Sequence, residues 1–144
     1  MNIKLLISIA FFFTSITAYC QDFESVCCGQ SFELMLPNDF EYIRDDIDDY
    51  GNSFILYSYF GDNDSLLNSQ VSVICCHNCD LNSLLCETDE YEQLDGVLLF
   101  KCESNYQCML KLNTLCFIFY EFPIEAIGVF SLLIKKQLKD DPYK

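Results

Sequence analysis

Cys76-His77-Asn78-Cys79 is where residue types and spacing in this chain could do chemistry. The two cysteines of a C-x-x-C unit can cycle between dithiol and disulfide. The unit follows a strand-like run, Gln70 to Ile74, and precedes a helix-like one, and a helix N-terminus there would stabilise a thiolate and lower its pKa. Thiol–disulfide exchange through Cys76 and Cys79 is one expectation. Zinc is a second, because Cys75 or Cys76, with His77, Cys79 and Cys86, offer sulfur and nitrogen ligands for a tetrahedral site. The third is cross-linking alone, with Cys75, Cys76, Cys79 and Cys86 stapled to Cys27, Cys28, Cys102, Cys108 or Cys116. That reading leaves no catalytic residue, no metal and no cofactor.

The compartment weighs among the three. Met1 to Cys20 has the form of a secretory signal peptide, with Lys4, an apolar run from Leu5 to Phe13 and a small-polar end from Thr14 to Ala18. Cleavage after Ala18 or after Cys20 fits, leaving 21–144 as one domain. The ending A-Y-C-Q-D resembles secretory signals of Bacteroidetes bacteria. Lipid attachment at Cys20 needs Ala or Gly before it, and Tyr19 is too large. A secreted or periplasmic chain favours disulfides over zinc thiolates. Ten cysteines, or nine if Cys20 is removed, approach the density of disulfide scaffolds. A ring between adjacent cysteines departs from ordinary disulfide geometry, so Cys27-Cys28 and Cys75-Cys76 are expected to take separate distant partners. A C-x-x-C without a preceding Trp or a following Pro-led strand also departs from the thioredoxin-like pattern.

Composition narrows the partners. Hydrophobic residues are 51% and aromatics 15%, enough for a core that disulfides reinforce rather than replace. A formal charge of −14 repels phosphate backbones and anionic membranes, which argues against nucleic acid and favours cationic partners. The partner class is an unknown protein or small ligand. Asp39 to Asp49 is dense in carboxylates, yet a calcium loop started at Asp46 fails at Tyr50 and at Tyr57, where oxygen ligands belong. The turn Gly61 to Ser65 also lacks the closing Glu, so both read as solvated loops. Asn63-Asp64-Ser65 is a glycosylation acceptor if the host is a eukaryote.

Period-two patterns predict strands over Phe32 to Pro37, Phe54 to Phe60, Gln70 to Ile74 and Thr114 to Phe122. A hairpin is expected from Val97 to Leu112 around Glu103-Ser104-Asn105, after an Asp95-Gly96 turn. Leu81, Leu84, Leu85 and Thr88 predict a middle helix over Asp80 to Tyr91, with Asp80 as N-cap. Pro123 to Lys139 predicts the terminal helix, facing the core with Ile124, Ile127, Phe130, Ile134 and Leu138. The rival for Leu115 to Ile134 is a membrane anchor, opposed by Glu121, Pro123 and Glu125 mid-span. These elements make a disulfide-reinforced α+β domain, an antiparallel sheet with a C-terminal helix and a shorter middle helix packed on it.

F-E-L-M-L-P-N-D-F, from Phe32 to Phe40, and F-I-F-Y-E-F-P-I-E-A-I, from Phe117 to Ile127, carry a resemblance to PsbP-like and DcrB-like exported domains. In those an opening strand runs into a Pro-containing segment, and the last strand leads directly into a C-terminal helix. Phe40 stands where such domains tend to have Trp, and the cysteines are foreign to the pattern. The resemblance implies a non-catalytic binding or accessory role.

Overall fold

The computed structural model describes residues 20–140. The expected signal segment, apart from Cys20, lies outside the described residues. Strands β1 (Cys20–Cys27) and β2 (Gln30–Pro37) form an antiparallel hairpin. Its turn is Cys28-Gly29, both at positive φ (51° and 83°). Seven further strands make the main sheet: β3 (Phe40–Ile47), β4 (Ser53–Tyr59), β5 (Gln70–Cys75), β6 (Tyr91–Leu94), β7 (Val97–Lys101), β8 (Asn105–Lys111) and β9 (Cys116–Pro123). Their spatial order is β3-β4-β5-β9-β8-β7-β6, antiparallel throughout. After a short 3-10 turn comes the one α-helix of the described residues, α1 (Ile127–Lys139).

Alternation along the strands sorts side chains to two faces. Tyr57, Val71, Tyr120, Cys108 and Leu99 lie opposite one another across five strands, and all are buried. The hairpin and α1 cover this face side by side. From the hairpin come Phe32, Leu34 and Leu36; from α1 come Phe130, Leu133 and Ile134. Phe130 stacks on Phe122 with centroids 4.4 Å apart and meets Tyr120 and Phe40 edge-on. Gln137 fastens helix to hairpin by donating through Nε2 to the Glu33 carbonyl and accepting the Met35 N–H.

The opposite face has no such layer. Phe54, Ile74 and Phe117 form one row there, and Leu56, Ser72, Phe119 and Met109 the next. These side chains are half-buried except Ile74, which is buried.

Two expectations are corrected. The middle helix does not form: Asp80 caps only a 3-10 turn, Leu81–Leu84, through an N–H bond from Asn82. Ser83 turns its hydroxyl back to the Asp80 carbonyl, and the Cys86 N–H goes to the Gln107 side chain, away from the carbonyl a helix would offer. Local polar groups and one tertiary bond outweigh the leucine spacing. The domain is therefore mostly antiparallel sheet with a single C-terminal helix. The acidic segment is also no loop at its start, because Phe40–Ile47 is the edge strand β3, almost wholly exposed. Its charges suit an edge, where they discourage pairing with another chain. The 115–134 span is divided between β9 and α1, and no helix of the described residues is long and apolar enough to cross a membrane.

Candidate functional site: a sulfur corner and a covered groove

Cys75 ends β5 and Cys116 begins β9, directly opposite in register. The hairpin turn lays Cys27 and Cys28 against them. Cys27 bonds Cys116 and Cys28 bonds Cys75, with Cα–Cα distances of 5.9 and 5.6 Å. The Sγ atoms of Cys27, Cys28 and Cys75 all lie within 4.8 Å of one another. Cys27 and Cys75 are buried, whereas Cys28 is exposed at the turn. A cavity of about 430 Å³ opens onto Cys28, Cys75 and His77.

His77 Nε2 stands 3.5 Å from Cys75 Sγ. Its backbone is held from the β3–β4 loop: Asn52 Oδ1 accepts the N–H groups of His77 and Asn78 at 2.7 and 2.9 Å. Asn52 Nδ2 donates to the Asn78 carbonyl and to Asp48 Oδ2. Asp48 Oδ1 takes the N–H groups of Tyr50 and Asn52. The hydrogen bonds from Asn52 hold the Asp48 carboxyl below its ordinary pKa. The D-D-Y-G-N turn thus serves as a bracket for the histidine loop. Its turn chemistry is legible in the sequence, but its target, 25 residues away from Asn52, is not.

Cys76 and Cys79 bond each other, Cα atoms 5.7 Å apart. The four-residue 3-10 turn that follows is no helix, and Asp80 places a carboxylate at its start. The thiolate stabilisation expected of a helix N-terminus is not provided. Cys86 bonds Cys102 at a Cα–Cα distance of 6.1 Å. Of the residues considered for zinc, Cys75 and His77 are brought together, whereas Cys76 and Cys79 are joined to each other and Cys86 is tied to Cys102, the residue after β7. Cys108 forms no disulfide; burial in the core pushes its thiol up to about 12, far from reactivity. Cys20, half-buried in β1, also forms none.

The segment from Cys79 to Cys86 crosses the open sheet face. At its far end the Cys86 N–H meets Gln107 Oε1 at 2.7 Å, and Gln107 Nε2 donates to Glu121 Oε2 at 2.7 Å. Beneath this strap runs a groove of about 550 Å³. Phe54, Leu56, Ile74 and Phe119 floor it, and Leu81 and Leu84 line it from above. Asp46, Asp48, Asp80 and Arg44 stand at its polar rim. The Arg44 guanidinium lies over the Phe54 ring, 5.4 Å from its centroid. Arg44 and Phe54 carry no sequence signature; the pairing of β3 with β4 brings them together.

No family model, no curated protein and no solved structure matches the chain. The four disulfides suit an oxidising, extracellular or periplasmic environment.

Proposed function

We propose that this is an exported binding domain whose ligand is a small amphipathic cation held beneath the 79–86 strap. The observation that carries the reading is the covered groove. Its volume of about 550 Å³ falls in the range of small-molecule sites, and its floor is apolar. Three carboxylates against one guanidinium leave the rim negative, in a chain whose formal charge is −14. The Phe54 face already takes a guanidinium, the kind of contact an alkylammonium head also makes. The likeness to PsbP-like and DcrB-like exported domains points to the same class of role.

Export is supported by the leader-like Met1 to Cys20 and by the disulfides. Cleavage after Cys20 leaves nine cysteines, eight of them in the four bonds and the ninth the buried Cys108.

Calorimetric titration with decylammonium and decanoate, which share one tail, tests the reading. Decylammonium is expected to bind one-to-one, with decanoate at least about tenfold weaker. Leu56→Gln, on the groove floor, should abolish binding. The reading fails if neither amphiphile binds, or if Leu56→Gln binds decylammonium as the parent does.

A further inference from the structure

Of the four disulfides, Cys28–Cys75 alone among the described residues has an imidazole against one of its sulfurs. It is also asymmetric. Cys28 is exposed at the hairpin tip, next to Gly29, where an added Cβ would meet nothing within 4 Å. Cys75 is 3% exposed. An incoming thiolate can reach Cys28, and the sulfur expelled is Cys75. A buried thiolate left without a partner is costly, so a proton at Cys75 makes it a better leaving group. His77 Nε2 is placed to supply that proton, and Asn52 and Asp48 hold the loop that carries it.

We propose that Cys28–Cys75 is a redox-active disulfide that oxidises dithiols, with His77 as its acid–base group. One thiol of the substrate loses its proton to solvent, and the thiolate attacks Cys28 Sγ. The Cys28–Cys75 bond breaks, its electron pair departs on Cys75 Sγ, and that sulfur takes the proton of the His77 imidazolium. The substrate is now joined to Cys28. Neutral His77 removes the proton from the second substrate thiol, whose thiolate attacks the substrate sulfur bonded to Cys28. The substrate leaves as a disulfide, and Cys28 departs with the electron pair and regains a proton from solvent. Two electrons and two protons have passed from the dithiol to Cys28 and Cys75. The cavity at this disulfide shares Asp46, Ile47, Ser53 and Phe54 with the groove, but the exchange uses only Cys28, Cys75 and His77, so it does not require the ligand proposed above.

The other bonds lack one requirement or another. Cys76–Cys79 is accessible but has no imidazole against either sulfur and sits beside the Asp80 carboxylate. Cys27–Cys116 is buried at both ends, 1% and 0% exposed. Cys86–Cys102 is half-buried with no imidazole at either sulfur.

Oxidised protein is mixed with a limiting amount of a reduced Cys-Gly-Gly-Cys peptide, quenched in acid, alkylated and mapped by mass. The peptide should be oxidised and Cys28 labelled before any cysteine of Cys76–Cys79 or Cys86–Cys102. Its labelled companion is Cys75, or Cys116 where the freed Cys75 has moved onto Cys27, whose Sγ is within 4.8 Å. His77→Gln, a change at an exposed position, should slow opening at Cys28 at least about tenfold and leave Cys86–Cys102 unaffected. First labelling at Cys76 with Cys79, or at Cys86 with Cys102, overturns the proposal. So does a His77→Gln protein, folded by circular dichroism, that opens Cys28–Cys75 at the parent rate.

Discussion

Asn52 Oδ1 accepts the backbone N–H of His77 at 2.7 Å, which fastens the chain after β5 to the loop between β3 and β4. The contact makes the placement of His77 a property of a loop that carries no catalytic group. Asn52→Ala removes this bond, the one from Asn78 and the two that Nδ2 donates to Asp48 and the Asn78 carbonyl. The expected cost is about 1 kcal/mol, because the groups are exposed and water replaces the amide. Hydrogen exchange should show the larger effect, with protection lost at His77 and Asn78 and retained along β5.

Asp48 makes the same bracket sensitive to acid. Its folded pKa lies below the ordinary 3.8, the bonds from Asn52 being the main cause. The contribution is present above the unfolded value and is lost as pH falls through the lower folded value. Amide protection at Tyr50 and Asn52 should therefore be level above pH 4 and decline below it. Asp48→Asn should remove that pH dependence.

Cys86–Cys102 anchors the far end of the strap across a sequence separation of 16. Replacing both with serine should lower stability by about 3 kcal/mol on the chain-entropy account. Denaturant unfolding measures that loss. The strap should also lift, so the bond from the Cys86 N–H to Gln107 is lost and decylammonium binding weakens with it.

Cys108 and Cys20 set the thiol count. Native protein at pH 8 should leave Cys108 unmodified by iodoacetamide, since its thiol is buried and held protonated up to about pH 12. In guanidinium one thiol per chain should react if the mature protein begins after Cys20, and two if it retains Cys20. Because the folded pKa of Cys108 is raised, its share of stability is intact below pH 9 and falls as pH rises towards 12.

Tyr120 is fully buried, and its hydroxyl has no hydrogen-bond partner among the described residues. Tyr120→Phe removes an unsatisfied polar atom and leaves the ring contact with Phe130. Stability should be unchanged or higher by about 1 kcal/mol, read from the denaturation midpoint. Loss of more than that would mean the hydroxyl has a partner after all.

Sequence reading locates the elements whose apolar residues alternate cleanly or turn at helical spacing. β4, β5, β9 and the β7–β8 hairpin stand out through Val, Ile, Phe and Tyr, and α1 through Phe130 and Ile134. β3 is hidden because Arg44, Asp45 and Asp46 are those of an exposed edge, with no buried face to betray a strand. β1 is hidden for another reason: Ser25 and Cys27 point inward, and neither scores as strongly apolar. The leucines from Leu81 mimic a helix, although Leu81 and Leu84 line the groove from a strap and Leu84 stays exposed. Disulfide partners are legible only in kind. Pairing Cys27 with Cys116 depends on β5 and β9 being neighbours, a fact settled across a sequence separation of 89.

The place of β9 in the sheet has a consequence for the order of assembly. β3 to β5 form one meander and β6 to β8 another, each contiguous in sequence, and only β9 is hydrogen-bonded to both. A chain emerging from its N-terminus can zip each meander separately, yet the two halves share no ladder until residues 116–123 arrive. The partner of Cys27 arrives at the same moment. Closure of the sheet and closure of its longest covalent loop thus both wait on the same eight residues, the last strand of the chain.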